Sequence, residues 1–321
     1  MSHPIRLSVA ERELDSGLTL MAVHNPGVQT FACAVSLDIR AGDEPEGMSG
    51  LANLVGECLD EGTKSYDALE LAAAAECIGA VMEGNHRGGV IMCPAVEQKA
   101  AVALLQELVL EPQFPGREVR RVQAEILTEI RADDDDPRAV ASRRFRKEVY
   151  GDHPLGRPPQ GTGKGLSRLT PKDLRAFPEQ WFRPAGGLVA AAGPEDPERT
   201  LDRLEKAFRG FKGKAPKHPS PPDVDLPATG RDAHLPMARE QVHVFLGHLG
   251  IRRTHPDFYV LSVMDHVLGT GPGFTSRCSR KLRDEQGLCY AVSAGITASA
   301  GEEPGTFTAV SYTHLTLPTK A

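Results

Sequence analysis

Residues Gly50 to Thr63 read GLANLVGECLDEGT. The stretch follows an alternating run, Thr30 to Ile39 (TFACAVSLDI), and an acidic, Gly-rich loop, Ala41 to Gly50 (AGDEPEGMSG). Its apolar positions recur at helical spacing. That period predicts a helix over Gly50 to Glu61 with Leu51, Leu54, Val55, Cys58 and Leu59 turned to a core.

The frame closely resembles the zinc helix of the pitrilysin/insulinase metallopeptidases, whose pattern here is GLAHxxEHxxxxGT. On that frame Asn53 takes the first histidine position, Gly56 the catalytic glutamate and Glu57 the second histidine. A peptidase zinc needs imidazoles or thiolates and an open position for water. Histidines at i and i+4 share a helix face, and the glutamate between them serves as general base. Asn53 and Glu57 keep the spacing, but an amide and a carboxylate suit harder cations. Gly56 has no side chain to take a proton. The family's third ligand is a later glutamate; Glu129, in AEILTEI, matches it, with Glu125 one turn before. The resemblance therefore implies a degenerate motif, no catalytic residue in it, no metal held by this chain, and no peptidase activity of the chain alone.

The resemblance extends over essentially Leu14 to Ala309. Tyr150 to Gly163 (YGDHPLGRPPQGTG) matches the family's YGxHPxGRPxxGT segment. Arg283 and Tyr290, in KLRDEQGLCYAV, match an arginine–tyrosine pair of the family's second domain. In that family the pair reaches a peptide held at the opposite half's zinc. A guanidinium and a phenol can both donate to a peptide carbonyl. On the residues alone, a helix-end ion pair for Arg283 and a half-buried core Tyr290 is the favoured reading, and the resemblance reverses that preference. The resemblance implies two homologous α+β domains, each an antiparallel-rich sheet with helices on one face, facing each other like a clamshell. It further implies substrate binding by Arg283 and Tyr290, a zinc-bearing HxxEH partner subunit in a heterodimer, and a peptide substrate. Two alternatives stay open: a non-enzymatic scaffold of the same fold, and residual hydrolysis with an unusual metal on Asn53, Glu57 and Glu129.

The chain of 321 residues is long enough for two domains. Its 40% apolar and 25% charged content is that of a soluble globular protein. A net charge of −6 with no basic stripe argues against nucleic acid. The basic cluster Arg143 to Lys147 (RRFRK) reads as a solvated helix face flanked by acids. The six cysteines form no CxxC pair and most fall at apolar positions, which reads as a reducing compartment. No run is long and apolar enough for a signal sequence or a bilayer span, so no membrane partner and a cytoplasmic location are expected.

Along the chain, strands are expected at Leu18 to Val23 and Thr30 to Ile39, a helix over Tyr66 to Gly79, and a hairpin of Ala80 to Met82 and Gly89 to Cys93 around Glu83 to Gly88. Helices follow at Val96 to Leu110, Arg117 to Arg131, and Pro137 to Tyr150. Asp133 to Asp136 then read as N-terminal capping and dipole matching. Further on come a helix Pro171 to Phe182, a strand Gly187 to Ala192 and a helix Pro197 to Phe211. Residues 1–211 form the expected first domain. Lys212 to Pro227 (KGKAPKHPSPPDVDLP) is a semi-rigid, Pro-rich linker. Residues 228–309 form a partial second domain with a strand at Gln241 to Gly247, helices at His255 to Leu268 and Phe274 to Glu285, and strands at Cys289 to Ile296 and Thr306 to Ala309. Val310 to Ala321 (VSYTHLTLPTKA) closely resembles a translated sequencing adapter. It is left out of the expected fold, so the second domain is expected to be truncated.

Gly161 to Ser167 (GTGKGLS) lacks phosphate-loop spacing. Gly269 to Gly273 (GTGPG) lacks the preceding strand and distal acid of a dinucleotide site. His243 and His248, five apart on a strand, point to opposite faces and cannot share one metal.

Overall fold

The computed structural model describes residues 8–220, 222, 224 and 229–313. By compactness it divides into two units. One takes the described residues through Thr128 together with Pro159–Ser220. The other takes Glu129–Pro158 and the described residues beyond Ser220.

The first unit is built on a six-stranded sheet of β1 (Ser8–Glu13), β2 (Thr19–His24), β3 (Thr30–Ser36), β4 (Val81–Asn85), β5 (Gly88–Pro94) and β6 (Leu188–Gly193). The strand order is β1-β2-β6-β3-β5-β4. Only the β2–β6 pairing is parallel; the others are antiparallel. Alternation gives one buried face. Leu20 pairs with Val189, Val189 with Val35, and Cys33 with Ile91, and all five are buried. Against the sheet lie α3 (Gln98–Leu110), which meets β3, β4 and β5, and α8 (Pro197–Phe208), which meets β1 and β2. Asp67 and Glu70 form a reciprocal capping box that starts α2 (Ala68–Cys77). The hairpin is tighter than expected. Asn85 pairs with Gly88, leaving only His86 and Arg87 in the turn. The Asn85 side chain accepts from the Arg87 amide and closes it.

The segment α1 (Leu51–Glu57), which meets α7 (Pro171–Trp181), carries the motif frame. The five residues expected in the core, Leu51, Leu54, Val55, Cys58 and Leu59, are at most 3% exposed. Gly50, at φ +101°, precedes it, and a Cβ there would meet the Gln160 carbonyl at 2.8 Å. Gly161, at φ +85°, approaches the same backbone from the other side. Gly161 and Gly165 of GTGKGLS thus serve packing around the start of α1, and Thr162 caps the short α6 (Gly163–Leu166).

The long helix α4 (Gly116–Asp135) runs further than the sequence suggests, and α5 (Pro137–Tyr150) follows after one residue. The expected role of the four aspartates is corrected here. Asp136 alone caps α5, accepting from the Arg138 amide. Asp133 to Asp135 end α4 instead, where carboxylates meet the negative end of the dipole. Cations offset this: Arg143 pairs with Asp134, and Arg239 donates to the Asp135 carbonyl. The RRFRK cluster is partnered as a helix face, with Arg144 on Glu148 and Lys147 on Asp152.

The second unit holds a three-stranded antiparallel sheet in the order β7-β9-β8, of β7 (His243–Leu249), β8 (Ala291–Gly295) and β9 (Thr306–Tyr312). Phe145 of α5 packs on Phe245, with centroids 6.0 Å apart. The expected end of the fold at Ala309 is corrected: Val310, Ser311 and Tyr312 continue β9 in register between β7 and β8. Residues 314–321 lie outside the described residues. The expected helix His255 to Leu268 begins at Phe258 as α9 (Phe258–Asp265) and passes into a π-helical turn, His266–Thr270. The helix expected over Phe274 to Glu285 is replaced by a 3-10 turn, Pro272–Phe274, and a π-helical stretch, Ser279–Glu285. Gly269 lies directly under the Ala294 backbone, a close approach that ties the first π turn to β8. Buried Asp265 accepts from the amides of Ile296 and Thr297 and from the Thr297 hydroxyl. Val244 and Leu246 on β7, and Tyr259, Val260 and Val263 on α9, are exposed.

Candidate functional site

The helix α1 offers Asn53 half-buried and Glu57 exposed, one turn apart, with Gly56 between them fully buried. Gly56 is closed by its surroundings. A Cβ there would lie 2.5 Å from the His86 amide nitrogen and 2.7 Å from the Asn85 carbonyl carbon. The approach is mutual: a Cβ on Gly84 of β4 would meet the Gly56 carbonyl oxygen and the Leu59 Cβ, each at 2.8 Å. Helix and hairpin touch through backbone, and the space where a base would begin is filled by the β4–β5 turn. The donor set does not fit zinc. It consists of one amide, one exposed carboxylate and no imidazole at the motif positions.

Glu129 stands exposed on α4, in the part of that helix that belongs to the second unit. Glu125, one turn earlier, is engaged by Arg121, which also pairs with Glu118 and with Glu61 just past α1. These carboxylates hold the guanidinium firmly in its charged form. Among the described residues, no group of three or more His, Cys, Asp or Glu gathers to hold a metal. His86 was not singled out by the sequence reading. Its signal was the NHRG turn between two alternating runs. Its pKa is lowered, first by desolvation and then by the charge of Arg87.

Arg283 lies in the π-helical stretch Ser279–Glu285, and Tyr290 stands one residue before β8. The guanidinium sits 4.1 Å above the Phe274 ring and donates to Asp284 at 2.9 Å, while its Nε is buried with no hydrogen-bond partner. Phe274 was missed from sequence, because nothing in spacing alone marks a ring nine residues away as a platform. The Tyr290 amide donates to the Tyr312 carbonyl, and the two rings lie 5.8 Å apart. Tyr290 is 49% exposed. Gly287, at φ +61°, makes the turn between the two residues. His243 stacks on Tyr312 and His248 on Phe307, five strand positions apart. A cleft of about 500 Å³ in the second unit is lined by Asp136, Arg138, Arg239, His243 and Tyr312, without Arg283 or Tyr290. No helix of the described residues is long and apolar enough to cross a membrane.

Comparison with known proteins gives the same frame independently. The insulinase (peptidase family M16) pattern matches residues 20–163, and the peptidase M16 inactive domain pattern matches residues 168–314. An uncharacterized zinc protease of Mycobacterium leprae is 27% identical over 300 residues, covering 90% of this chain and 66% of that protein. One from Streptomyces coelicolor is 26% identical over 296 residues, covering 89% of this chain and 64% of its own length. The chain thus spans just under two thirds of these relatives. The crystal structure of a peptidase M16 inactive domain from Pseudomonas fluorescens superimposes with a TM-score of 0.86 at 22% identity, covering 96% of this chain and 75% of that one. A protease from Helicobacter pylori gives 0.84 at 18%, covering 96% and 76%. With an α+β fold and two successive domain matches that nearly fill it, the chain belongs to the insulinase, or pitrilysin-type, peptidase family M16.

Proposed function

We propose that this chain is a non-catalytic subunit of a pitrilysin/insulinase-type peptidase, enclosing and orienting a peptide for a zinc-bearing HxxEH partner. The observation that carries this reading is the backbone of Asn85 and His86 filling the Cβ position of Gly56. A helix packed this way has lost the room for a general base as well as the residue. Asn53 and Glu57 then act as ordinary polar residues, and the zinc belongs to the partner. Arg283 and Tyr290 supply donors for the scissile carbonyl. The buried, unpaired Nε of Arg283 and the 49% exposure of Tyr290 support that role. Six unpaired thiols suit a reducing cytoplasm.

The test is co-expression with an HxxEH-bearing chain of the same family. Arg283→Ala then lowers peptide cleavage by the pair at least tenfold, about 1.4 kcal/mol in the barrier. An unchanged rate favours a second reading, a scaffold subunit that only holds partners. The pairing of Arg283 with its neighbour Asp284 supports that alternative.

A further inference from the structure

In the Pro-rich stretch after α8, His218 meets three side chains of the first unit. His218 stacks on Trp181, with centroids 5.5 Å apart and planes 20° from parallel. Its Nδ1 lies 2.9 and 3.0 Å from the two carboxylate oxygens of Asp43. Its Nε2 lies 3.3 Å from Oδ2 of Asp38. The Asp43 side chain is 0% exposed and that of His218 11%, so little water enters between them.

Carboxylates only accept. A neutral imidazole carries one N–H and one lone pair, whereas the imidazolium carries two N–H groups. Two ring nitrogens facing two carboxylates match the imidazolium, and a neutral ring would turn a lone pair toward one of them. Nε2 is buried and has no hydrogen-bond partner other than this facing carboxylate. Other charges nearby act mainly on the acids. Arg40 donates to both oxygens of Asp38, and its amide donates to Asp43. Arg87, at the β4–β5 turn, adds its charge to Asp38. The Arg183 side chain passes against Gly213 of the same linker. The Asp38 pKa is lowered, first by the Arg40 hydrogen bond, with burial opposing, so Asp38 stays ionised wherever an imidazole titrates.

We propose that His218 is a proton-operated latch. When protonated, it pins the linker to the first unit through Asp38, Asp43 and Trp181; when neutral, it releases residues 212–220. Pro216 and Pro219 flank it and stiffen the segment, so one anchor orders several residues. The latch holds while the imidazole carries both N–H groups and opens when it has lost one. The near end of the connection between the two units then becomes free.

Trp181 is the only tryptophan in the chain, and a stacked imidazolium quenches indole emission. The experiment follows Trp181 fluorescence and the backbone 15N order parameters of Lys217, His218 and Ser220 in the full chain from about pH 5 to about pH 9. Emission is expected to rise in a one-proton step, with those order parameters falling from the rigid toward the flexible range in the same step. His218→Phe keeps an aromatic ring and removes both N–H groups, so it abolishes the step and leaves the segment loose at low pH. If that variant does not fold, the wild-type chain decides alone through the 15N shifts of its imidazoles. Two N–H groups on His218 where the segment is ordered support the latch. Flat emission, order that survives deprotonation, or a neutral His218 in the docked segment overturns it.

Discussion

A Cβ atom on Gly56 would stand 2.5 Å from the backbone nitrogen of His86, closer than non-bonded atoms come. Gly56 is therefore the contact by which α1 meets its sheet. The difference between this helix and one bearing HxxEH is a change in helix–hairpin packing as much as in residue identity.

Gly56→Ala is accordingly destabilising. In an open helix that change stabilises by about 1 kcal/mol. Here overpacking costs about 1–3 kcal/mol and wins. Gly84→Ala acts in the same direction on the other side of the contact. Urea unfolding reads both: each midpoint falls, and a rise in either would show that the helix has slack against the hairpin.

Asp265→Ala strips three donors of their buried acceptor. Hydrogen bonds to a charged group contribute about 1.5–3 kcal/mol each, though not additively. Loss of at least about 2 kcal/mol in the second unit is expected, with exchange of the Ile296 and Thr297 amides quickened accordingly. Unchanged exchange at those two amides would mean that the carboxylate does not hold them.

Thiol reactivity follows burial. Cys77 is exposed, whereas burial pushes the thiols of Cys33 and Cys58 up to about 12 and raises those of Cys93 and Cys289. Alkylation of the native chain, mapped by mass spectrometry, labels Cys77 first and leaves Cys33 and Cys58 for the unfolded state. Early labelling of Cys58 would mean that the end of α1 opens readily.

Asp38 contributes to stability with a definite sign. Its carboxyl titrates below the ordinary range because Arg40 donates to it. That contribution is full above the pKa of an unfolded aspartate and is lost as pH falls through the folded value. In Arg40→Ala the Asp38 carboxyl titrates higher, read from its 13C shift, and the fold loses part of its acid tolerance. An unmoved titration would assign the lowering to another group.

Much of this was legible in the sequence, and the gaps have physical causes. The period of Leu51, Leu54, Val55, Cys58 and Leu59 predicted the buried side of α1, because helical geometry alone sets which positions share a face. The alternation over Thr30 to Ile39 likewise predicted a strand, of which Thr30–Ser36 forms β3. The sequence showed Gly56 as an absence; that Asn85 and His86 fill its space is a contact across some 30 positions that no local pattern encodes. The extension of α4 through Asp135 was hidden because aspartates discourage a helix C-terminus, and the offsetting Arg143 and Arg239 lie elsewhere in the chain. The π-helical turns escaped because 3.6-residue periodicity does not register them. Val310–Tyr312 were set aside for their resemblance to an adapter, yet their alternation suits the central strand they form. His218 read as one more linker residue, since its three partners come from distant parts of the first unit.

The most direct test of the central claim is zinc content and oligopeptide cleavage measured on the purified chain without any partner. The account predicts well under one zinc per chain and no cleavage that a chelator abolishes. One tightly held zinc per chain together with chelator-sensitive cleavage would contradict it.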